Sequence, residues 1–154
     1  MAQLGRGDEG PIRVLAVDDH LTNRMVMETI LELISADVVL AEDGAQAVTA
    51  FQTGHFDVVL MDLQMPIMDG LTATRRIRDL ERASGAPRTP VLAVTANTLS
   101  QHVEAARQAG VDRHLAKPIT PDGLLAAMAT VIGEVGGRNG TAPGCRFPMA
   151  GGRP

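Results

Sequence analysis

The chain has 154 residues, enough for one domain with a substantial hydrophobic core. Hydrophobic residues make up 45% and charged residues 21% of the sequence, as is usual for a soluble globular protein. The net charge of −4 argues against a nucleic-acid or anionic membrane surface, and the 2% aromatic content argues against a platform for stacked bases. Cys145 is the single cysteine and the polar start offers no signal peptide, so we expect a cytoplasmic protein that binds neither nucleic acid nor membrane.

Short apolar runs alternate along the chain with longer segments whose apolar residues have helical spacing. The apolar runs predict strands at residues 12–17, 38–41, 56–61, 91–94 and 111–116. The first helix is predicted with Thr22 or Asn23 near its cap, and the others after Gly44, at 71–81, at 101–109 and after a cap at Thr120. Five strand–helix units in regular alternation predict an α/β fold with a doubly wound parallel sheet.

The composition at the two ends differs from that of the middle of the chain. We expect a flexible leader at residues 1–11, one folded domain at 12–133, and a disordered tail or linker at 134–154. Gly and Pro dominate the last of these segments, and such a composition does not supply a packed core.

The third predicted helix contains four arginines that could form a basic patch for nucleic acid. These are Arg75, Arg76, Arg78 and Arg82. A solvated charged face is the commoner explanation of such a group, so we expect these side chains mostly on the solvent side of the helix.

Polar side chains follow four of the predicted strands at the points where the strands end. Asp18 and Asp19 follow the first strand, Asp62 the third, Thr95 the fourth and Lys117 the fifth. Because ligands of parallel α/β sheets bind outside the carboxyl ends of the strands, we expect these side chains to share one crevice.

Three carboxylates in one crevice repel each other, and a divalent cation would remove the repulsion. Mg²⁺ prefers a few carboxylates, keeps several waters and shares a phosphate oxygen with its ligands. A central carboxylate could then attack a phosphoryl group and become an aspartyl phosphate. Lys117, the only lysine among 14 basic residues, would neutralise charge on the phosphoryl oxygens, and Thr95 could donate its hydroxyl to another.

These motifs resemble the receiver (response regulator) domains of two-component signalling, over about residues 12–132. The matching segments are Val17-Asp18-Asp19, Met61-Asp62-Leu63-Gln64-Met65-Pro66-Ile67-Met68-Asp69-Gly70, Thr95-Ala96-Asn97 and Lys117-Pro118-Ile119. The run around Asp62, with Asn23-Arg24 in the first helix, is most similar to receivers attached to hybrid histidine kinases. The resemblance implies a flavodoxin-like sheet of five parallel strands in the order 2-1-3-4-5, flanked by five helices.

The resemblance also implies a role for each residue of the crevice. Asp62 is the expected phosphoacceptor, with Lys117 binding the phosphoryl group and Thr95 serving as the switch hydroxyl. The expected ligands of Mg²⁺ (or Mn²⁺) are Asp62, Asp19 directly, Asp18 mostly through water, and Gln64 through its backbone carbonyl. The Lys117–Pro118 peptide bond is expected to be cis.

One position departs from the commonest pattern of that family. The switch residue of the fifth strand is often Tyr or Phe, and this chain has His114. We expect His114 to be partly buried with an ordinary hydrogen bond, and a role as a switch is the alternative. Gln64 and Asn97 flank the phosphorylation site and are expected to tune the lifetime of the aspartyl phosphate.

Three functions remain to be distinguished. The first is a signalling switch, in a stand-alone receiver or a hybrid-kinase module, that takes a phosphoryl group from a histidine kinase or histidine phosphotransfer protein. It would dock that donor on the first helix and signal to a downstream protein through the fourth helix, fifth strand and fifth helix. The second is a haloacid-dehalogenase-like phosphatase, which would need an Asp where Gln64 stands, so a turnover enzyme is not expected. The third is a scaffold that binds partners without phosphorylation, which the complete set of site residues argues against.

Overall fold

The computed structural model describes residues 11–63, 68–96 and 100–138, and these contain five strands that alternate with five helices. The elements are β1 Arg13–Val17, α1 Leu21–Glu32, β2 Asp37–Ala41, α2 Gly44–Phe51, β3 Val58–Asp62, α3 Gly70–Ser84, β4 Val91–Thr95, α4 Ser100–Ala109, β5 Arg113–Ala116 and α5 Pro121–Arg138. The predicted α/β alternation is confirmed, and most boundaries lie within one to three residues of those predicted. Among the described helices, none is both long and apolar enough to cross a bilayer.

The five strands form one parallel sheet in the order β2-β1-β3-β4-β5, as the resemblance implied. The chain turns to opposite sides of β1 when it makes β2 and then β3, which creates a crevice at the carboxyl ends of β1 and β3. Val17 is paired with Met61, and Asp62 with Val94, so neighbouring strands end at nearly the same height. This register brings the residues that follow each strand to a common edge.

Apolar side chains cover both faces of the sheet, which explains the unbroken apolar runs in the sequence. Along β1, Val14 and Ala16 pack into the layer formed with α1 and α5. Leu15 and Val17 pack into the opposite layer, with α2, α3 and α4. A fully buried side chain of this size stabilises the fold by roughly 1.5–3 kcal/mol. The central strands are therefore anchored on both faces, and so are the polar residues at their ends.

The helix α1 begins at Leu21, close to its predicted start. Its N-cap is His20, in an extended conformation, and the His20 carbonyl accepts a hydrogen bond from the Arg24 amide. Thr22 and Asn23 lie in the first turn of the helix, near the cap as predicted. Histidine is not among the residues preferred at a helix N-cap, and its side chain makes no capping hydrogen bond here.

The helix α5 is longer than predicted. Residues 134–138 were assigned to a disordered tail, but the helix continues to Arg138. A glycine costs a helix only about 1 kcal/mol relative to alanine, too little to end one whose earlier turns are fixed by Leu124 and Met128 in the core. The expected leader at residues 1–10 and the tail at 139–154 lie outside the described residues.

Arg75, Arg76 and Arg82 are exposed, as expected for most of these arginines, but Arg78 is buried. Its guanidinium donates hydrogen bonds to Glu81 and to the Thr89 carbonyl, each at 2.8 Å. It also donates to the Gly110 carbonyl and to Asp112, again at 2.8 Å. Gly110 has a φ of 115°, and a Cβ there would lie 2.8 Å from Cγ of Arg78, so this turn requires glycine. Arg78 thus ties α3 to the amino-terminal edge of β4 and β5.

We expect Arg78→Met to lower the free energy of unfolding by about 3–5 kcal/mol, because it leaves the buried Glu81 carboxylate without the guanidinium that pairs with it. Urea denaturation would measure this change. The control is Arg75→Met on the exposed side of the same helix, where a change within about 0.5 kcal/mol is expected. Equal effects of the two substitutions would contradict the structural role of Arg78.

Candidate functional site

The polar residues predicted to share a crevice lie together at the carboxyl edge of the sheet. Asp62 and Thr95 are the last residues of β3 and β4, and both are buried. Buried Asp18 follows β1, and its amide continues the sheet by donating to the Ala41 carbonyl at 3.1 Å. Lys117 follows β5 and extends it in the same way, donating to the Thr95 carbonyl at 3.0 Å. Strand pairing therefore holds the backbone of the site in place.

The Lys117 ammonium lies between two buried carboxylates. Its Nζ is 3.3 Å from Oδ2 of Asp18 and 3.5 Å from Oδ1 of Asp62. Burial removes most of the screening by water, so these charges interact more strongly than a surface pair would. The peptide bond from Lys117 to Pro118 is cis, the isomer expected for it.

An acidic cluster with room for a cation occupies the same edge. Asp18, Asp19, His20 and Asp62 each offer one ligand atom, and these atoms lie within 4.8 Å of one another. Within the described residues, Oδ2 of Asp18 and Oδ1 of Asp19 are buried and accept no hydrogen bond. Buried carboxylate oxygens normally have such partners, and oxygens without them suit a hard divalent ion. The residues present therefore fit a site for Mg²⁺ or Mn²⁺.

The beginning of α1 fixes the orientation of Asp18. The His20 amide donates to Oδ1 of Asp18 at 2.8 Å, and Nδ2 of Asn23 lies 3.4 Å from the same oxygen. Arg24 donates to the Asp18 carbonyl at 2.7 Å. These bonds occupy Oδ1 and leave Oδ2 facing Lys117. In the sequence, Asn23 and Arg24 stood out only through the resemblance, since their spacing from Asp18 predicts no contact by itself.

The beginning of α3 fixes the backbone of Asp62. Asp69 caps the helix by accepting a hydrogen bond from the Thr72 amide at 2.8 Å. A Cβ on Gly70 would lie 2.3 Å from the Asp62 carbonyl oxygen, so only glycine lets the helix start this close to β3. Gly70 is therefore a packing requirement of the site as well as the first residue of α3.

Three further predicted residues, Gln64, Asn97 and His114, are not among the residues that the structure brings together in this cluster. Gln64 and Asn97 lie outside the described residues. His114 lies in β5 opposite Ala93 and is half-buried, as expected. Its Nε2 is buried and makes no hydrogen bond within the described part of the chain, so the ordinary hydrogen bond expected there is not found at this atom. Burial lowers the pKa of His114 below its usual value.

The family model for the response regulator receiver domain matches residues 14–129. The chain belongs to this family. The family inferred from the strand-end motifs is thereby confirmed. It is therefore a receiver domain of two-component or phosphorelay signalling.

The sensor protein GacS of Pseudomonas syringae pv. syringae is 42% identical over 121 residues, which cover 75% of this chain and 13% of GacS. The receiver domain of the sensor histidine kinase PA1611 from Pseudomonas aeruginosa PAO1 is 36% identical, with a TM-score of 0.72 over 80% of this chain and 99% of that one. Its crystal structure has a magnesium ion coordinated in the active-site cleft. The Saccharomyces cerevisiae receiver domain of Ssk1, co-crystallised with the histidine phosphotransfer protein Ypd1, is 29% identical, with a TM-score of 0.70 over 78% of this chain and 86% of that one.

The lowered pKa of His114 predicts how the stability of this receiver domain depends on pH. In the unfolded chain the group titrates near its ordinary value of about 6.5, and in the folded domain it titrates lower. Between these two pKa values mainly the unfolded state binds the proton, and this favours unfolding. The stability that neutral His114 contributes is therefore fully present above about pH 6.5 and is lost as the pH falls through the folded pKa. We therefore expect His114→Leu to lose less stability than the wild type between about pH 7.5 and 5.5.

Urea denaturation at the two pH values would measure the difference. His102→Leu, at an exposed position of α4, is the control and should leave the pH dependence of the wild type unchanged. The prediction is wrong if His114→Leu shows the same loss of stability as the wild type.

Proposed function

We propose that this chain is a phosphorylatable switch that accepts a phosphoryl group from a phosphohistidine donor onto Asp62. The observation that carries the proposal is the environment of Asp62: a buried carboxylate in the acidic cluster, with the Lys117 ammonium 3.5 Å from Oδ1. An oxygen of Asp62 forms the new bond to phosphorus as the bond from phosphorus to the donor imidazole breaks, and the imidazole leaves with the bonding electrons. The donor is a histidine kinase or a histidine phosphotransfer protein.

The other residues of the crevice stabilise charge during the transfer. Lys117 neutralises a phosphoryl oxygen, and the hydroxyl of Thr95 donates to another. Asp19 binds Mg²⁺ or Mn²⁺ directly, Asp18 does so mostly through water, and Asp62 and the Gln64 carbonyl complete the ligands. The ion, when bound, neutralises negative charge that develops on the transferred group. The magnesium ion in the cleft of the PA1611 receiver supports this assignment.

The same residues argue against turnover of a free substrate. A phosphatase of the haloacid-dehalogenase type would use a second carboxylate two residues after the nucleophile, and this chain has Gln64 there. The domain therefore assists its own phosphorylation and dephosphorylation and is not a turnover enzyme by itself. The single cysteine of the sequence fits a cytoplasmic location for this switch.

Phosphorylation shifts the domain between two states through contacts of the phosphoryl group with Thr95 and Lys117. Thr95 ends β4, and β4 pairs with the strand that carries His114. This pairing supports a path from the phosphoryl group to a signalling face on α4, β5 and α5, where a downstream protein binds. His114 takes the position of the switch residue. The same device serves a stand-alone receiver or a receiver module of a hybrid histidine kinase.

Incubation with acetyl phosphate and Mg²⁺ should add one labile phosphoryl group to the wild type and none to Asp62→Asn. The substitution removes the attacking oxygen while keeping the size of the side chain, and intact-mass spectrometry would detect the adduct. EDTA should abolish it, because the carboxylates then repel the incoming phosphoryl group.

The switch is contradicted if no adduct forms with acetyl phosphate or with a phosphorylated histidine donor, which would favour a scaffold that is never phosphorylated. NMR of the same sample tests the switch residue. His114 signals that are identical before and after phosphorylation would exclude His114 from the conformational change.

The first helix presents an apolar surface beside the site. Leu21 and Met25 lie one turn apart on α1, and their side chains are 63% and 55% exposed. We propose that they dock the helical bundle that carries the donor histidine. Their position directly after Asp19 and His20 places a docked bundle next to the acidic cluster, and the Ssk1 receiver provides an example of a receiver bound to a phosphotransfer protein.

Leu21→Lys should slow phosphoryl transfer from the protein donor by about tenfold or more, since it places a charge on an apolar side chain that the docked donor would cover. Phosphorylation by acetyl phosphate should stay unchanged, because the small donor needs no docking surface. The matched control is Leu33→Lys, which changes an equally exposed leucine at the far end of α1. Equal slowing by both substitutions, or slowing with acetyl phosphate, would exclude this docking surface.

A further inference from the structure

His20 occupies a position in which its side chain performs no helix-capping function. It is the N-cap of α1, with φ −97° and ψ 124°, yet its side chain makes no capping hydrogen bond. Side chains that do cap a helix at this position stabilise it, and the His20 side chain does not. Its imidazole, 69% exposed, is instead directed toward the acidic cluster.

The spacing between His20 and Asp19 is that of two ligands of one ion. Nδ1 of His20 lies 3.1 Å from Oδ1 of Asp19. Two atoms that bind neighbouring positions of an octahedral ion, each at about 2.1 Å, are separated by about 3.0 Å. The same nitrogen is 3.6 Å from Oδ1 of Asp18. The imidazole can thus reach an ion held by Asp19 without displacing the backbone.

The oxygen that faces the imidazole is the one that needs a partner. Oδ1 of Asp19 is buried and accepts no hydrogen bond within the described residues, and Oδ2 of Asp18, which faces the Lys117 ammonium at 3.3 Å, accepts none there either. An exposed ion pair between His20 and Asp19 would contribute little to stability. Two buried oxygens without hydrogen bonds point to a cation as the partner that the cluster is arranged to hold.

We propose that His20 supplies a nitrogen ligand to the metal site and so broadens its preference toward nitrogen-binding transition ions. This inference rests on the metal site of the proposed function. Mg²⁺ is bound by oxygen and gains little from an imidazole, whereas Co²⁺, Ni²⁺ and Zn²⁺ bind imidazole well. With His20 in place, the ratio of Ni²⁺ affinity to Mg²⁺ affinity is higher than the carboxylates alone produce.

The substitution His20→Asn tests the proposal with little effect on folding, because asparagine is a preferred helix N-cap. Calorimetric titration of the intact chain at one fixed pH should show Ni²⁺ affinity lowered by about 10–100-fold, the range seen when a metal site loses a supporting group. Mg²⁺ affinity should stay within about twofold of the wild type. The control, His55→Asn, changes a half-exposed histidine before β3, at the opposite edge of the sheet, and should change neither affinity.

A second readout identifies the ligand directly. With Co²⁺ bound, the ring protons of His20 should be strongly shifted in the proton NMR spectrum of the wild type and absent from that of His20→Asn. Unchanged Ni²⁺ affinity in His20→Asn, or no shifted imidazole protons, would overturn the proposal while Mg²⁺ binding leaves the proposed function intact. If Mg²⁺ fails to bind the wild type, or Asp19→Asn leaves its binding unchanged, the metal site itself is refuted and the role of His20 with it.

Discussion

The carboxylates at the carboxyl edge of the sheet repel each other, and the arrangement of the site depends on how this repulsion is relieved. Two unit charges about 4 Å apart interact by about 4 kcal/mol at an effective dielectric constant of 20, and burial of Asp18 and Asp62 keeps water from relieving it. The apolar faces of β1 and β3 hold these residues in place regardless, because the burial of those strands opposes any separation. Lys117 offsets part of the repulsion, and the repulsion that remains favours the binding of a cation.

The two ends of the sheet show how a structural ion cluster differs from a binding site. At the amino-terminal edge, Arg78 donates hydrogen bonds to Glu81 and Asp112 and to two carbonyls, so that cluster is complete within the chain. At the carboxyl edge, buried oxygens of Asp18 and Asp19 accept no hydrogen bond within the described residues. Both clusters contain buried charges, but only the second is left for a ligand to complete. The hydrogen bonds, and not the number of charges, distinguish them.

The sequence predicted the strands and the strand-end residues because a two-sided sheet demands unbroken apolar runs, and a run must end where the chain meets solvent or a site. Alternation of strands and helices is compatible with several strand orders, so the order 2-1-3-4-5 needed the resemblance. Arg78 was misplaced because a helical pattern treats arginine as a solvent residue, and its partners Gly110 and Asp112 are more than 30 residues away. The hydrogen bonds from residues 20 and 23 to Asp18 could not be predicted from the sequence either, because they depend on how the chain turns between β1 and α1.

The segment that connects β1 to α1 brings the acidic cluster next to the exposed apolar residues at the start of α1. Residues 18–25 contain the buried Asp18, the cluster members Asp19 and His20, and the exposed Leu21 and Met25. A partner that packs on α1 therefore presses on the segment whose His20 amide and Asn23 side chain orient Asp18. Coupling between the docking surface proposed on α1 and the metal site would need no long pathway through the domain, because residues 18–25 carry both. A donor docked in the proposed way would contact the same segment that orients Asp18.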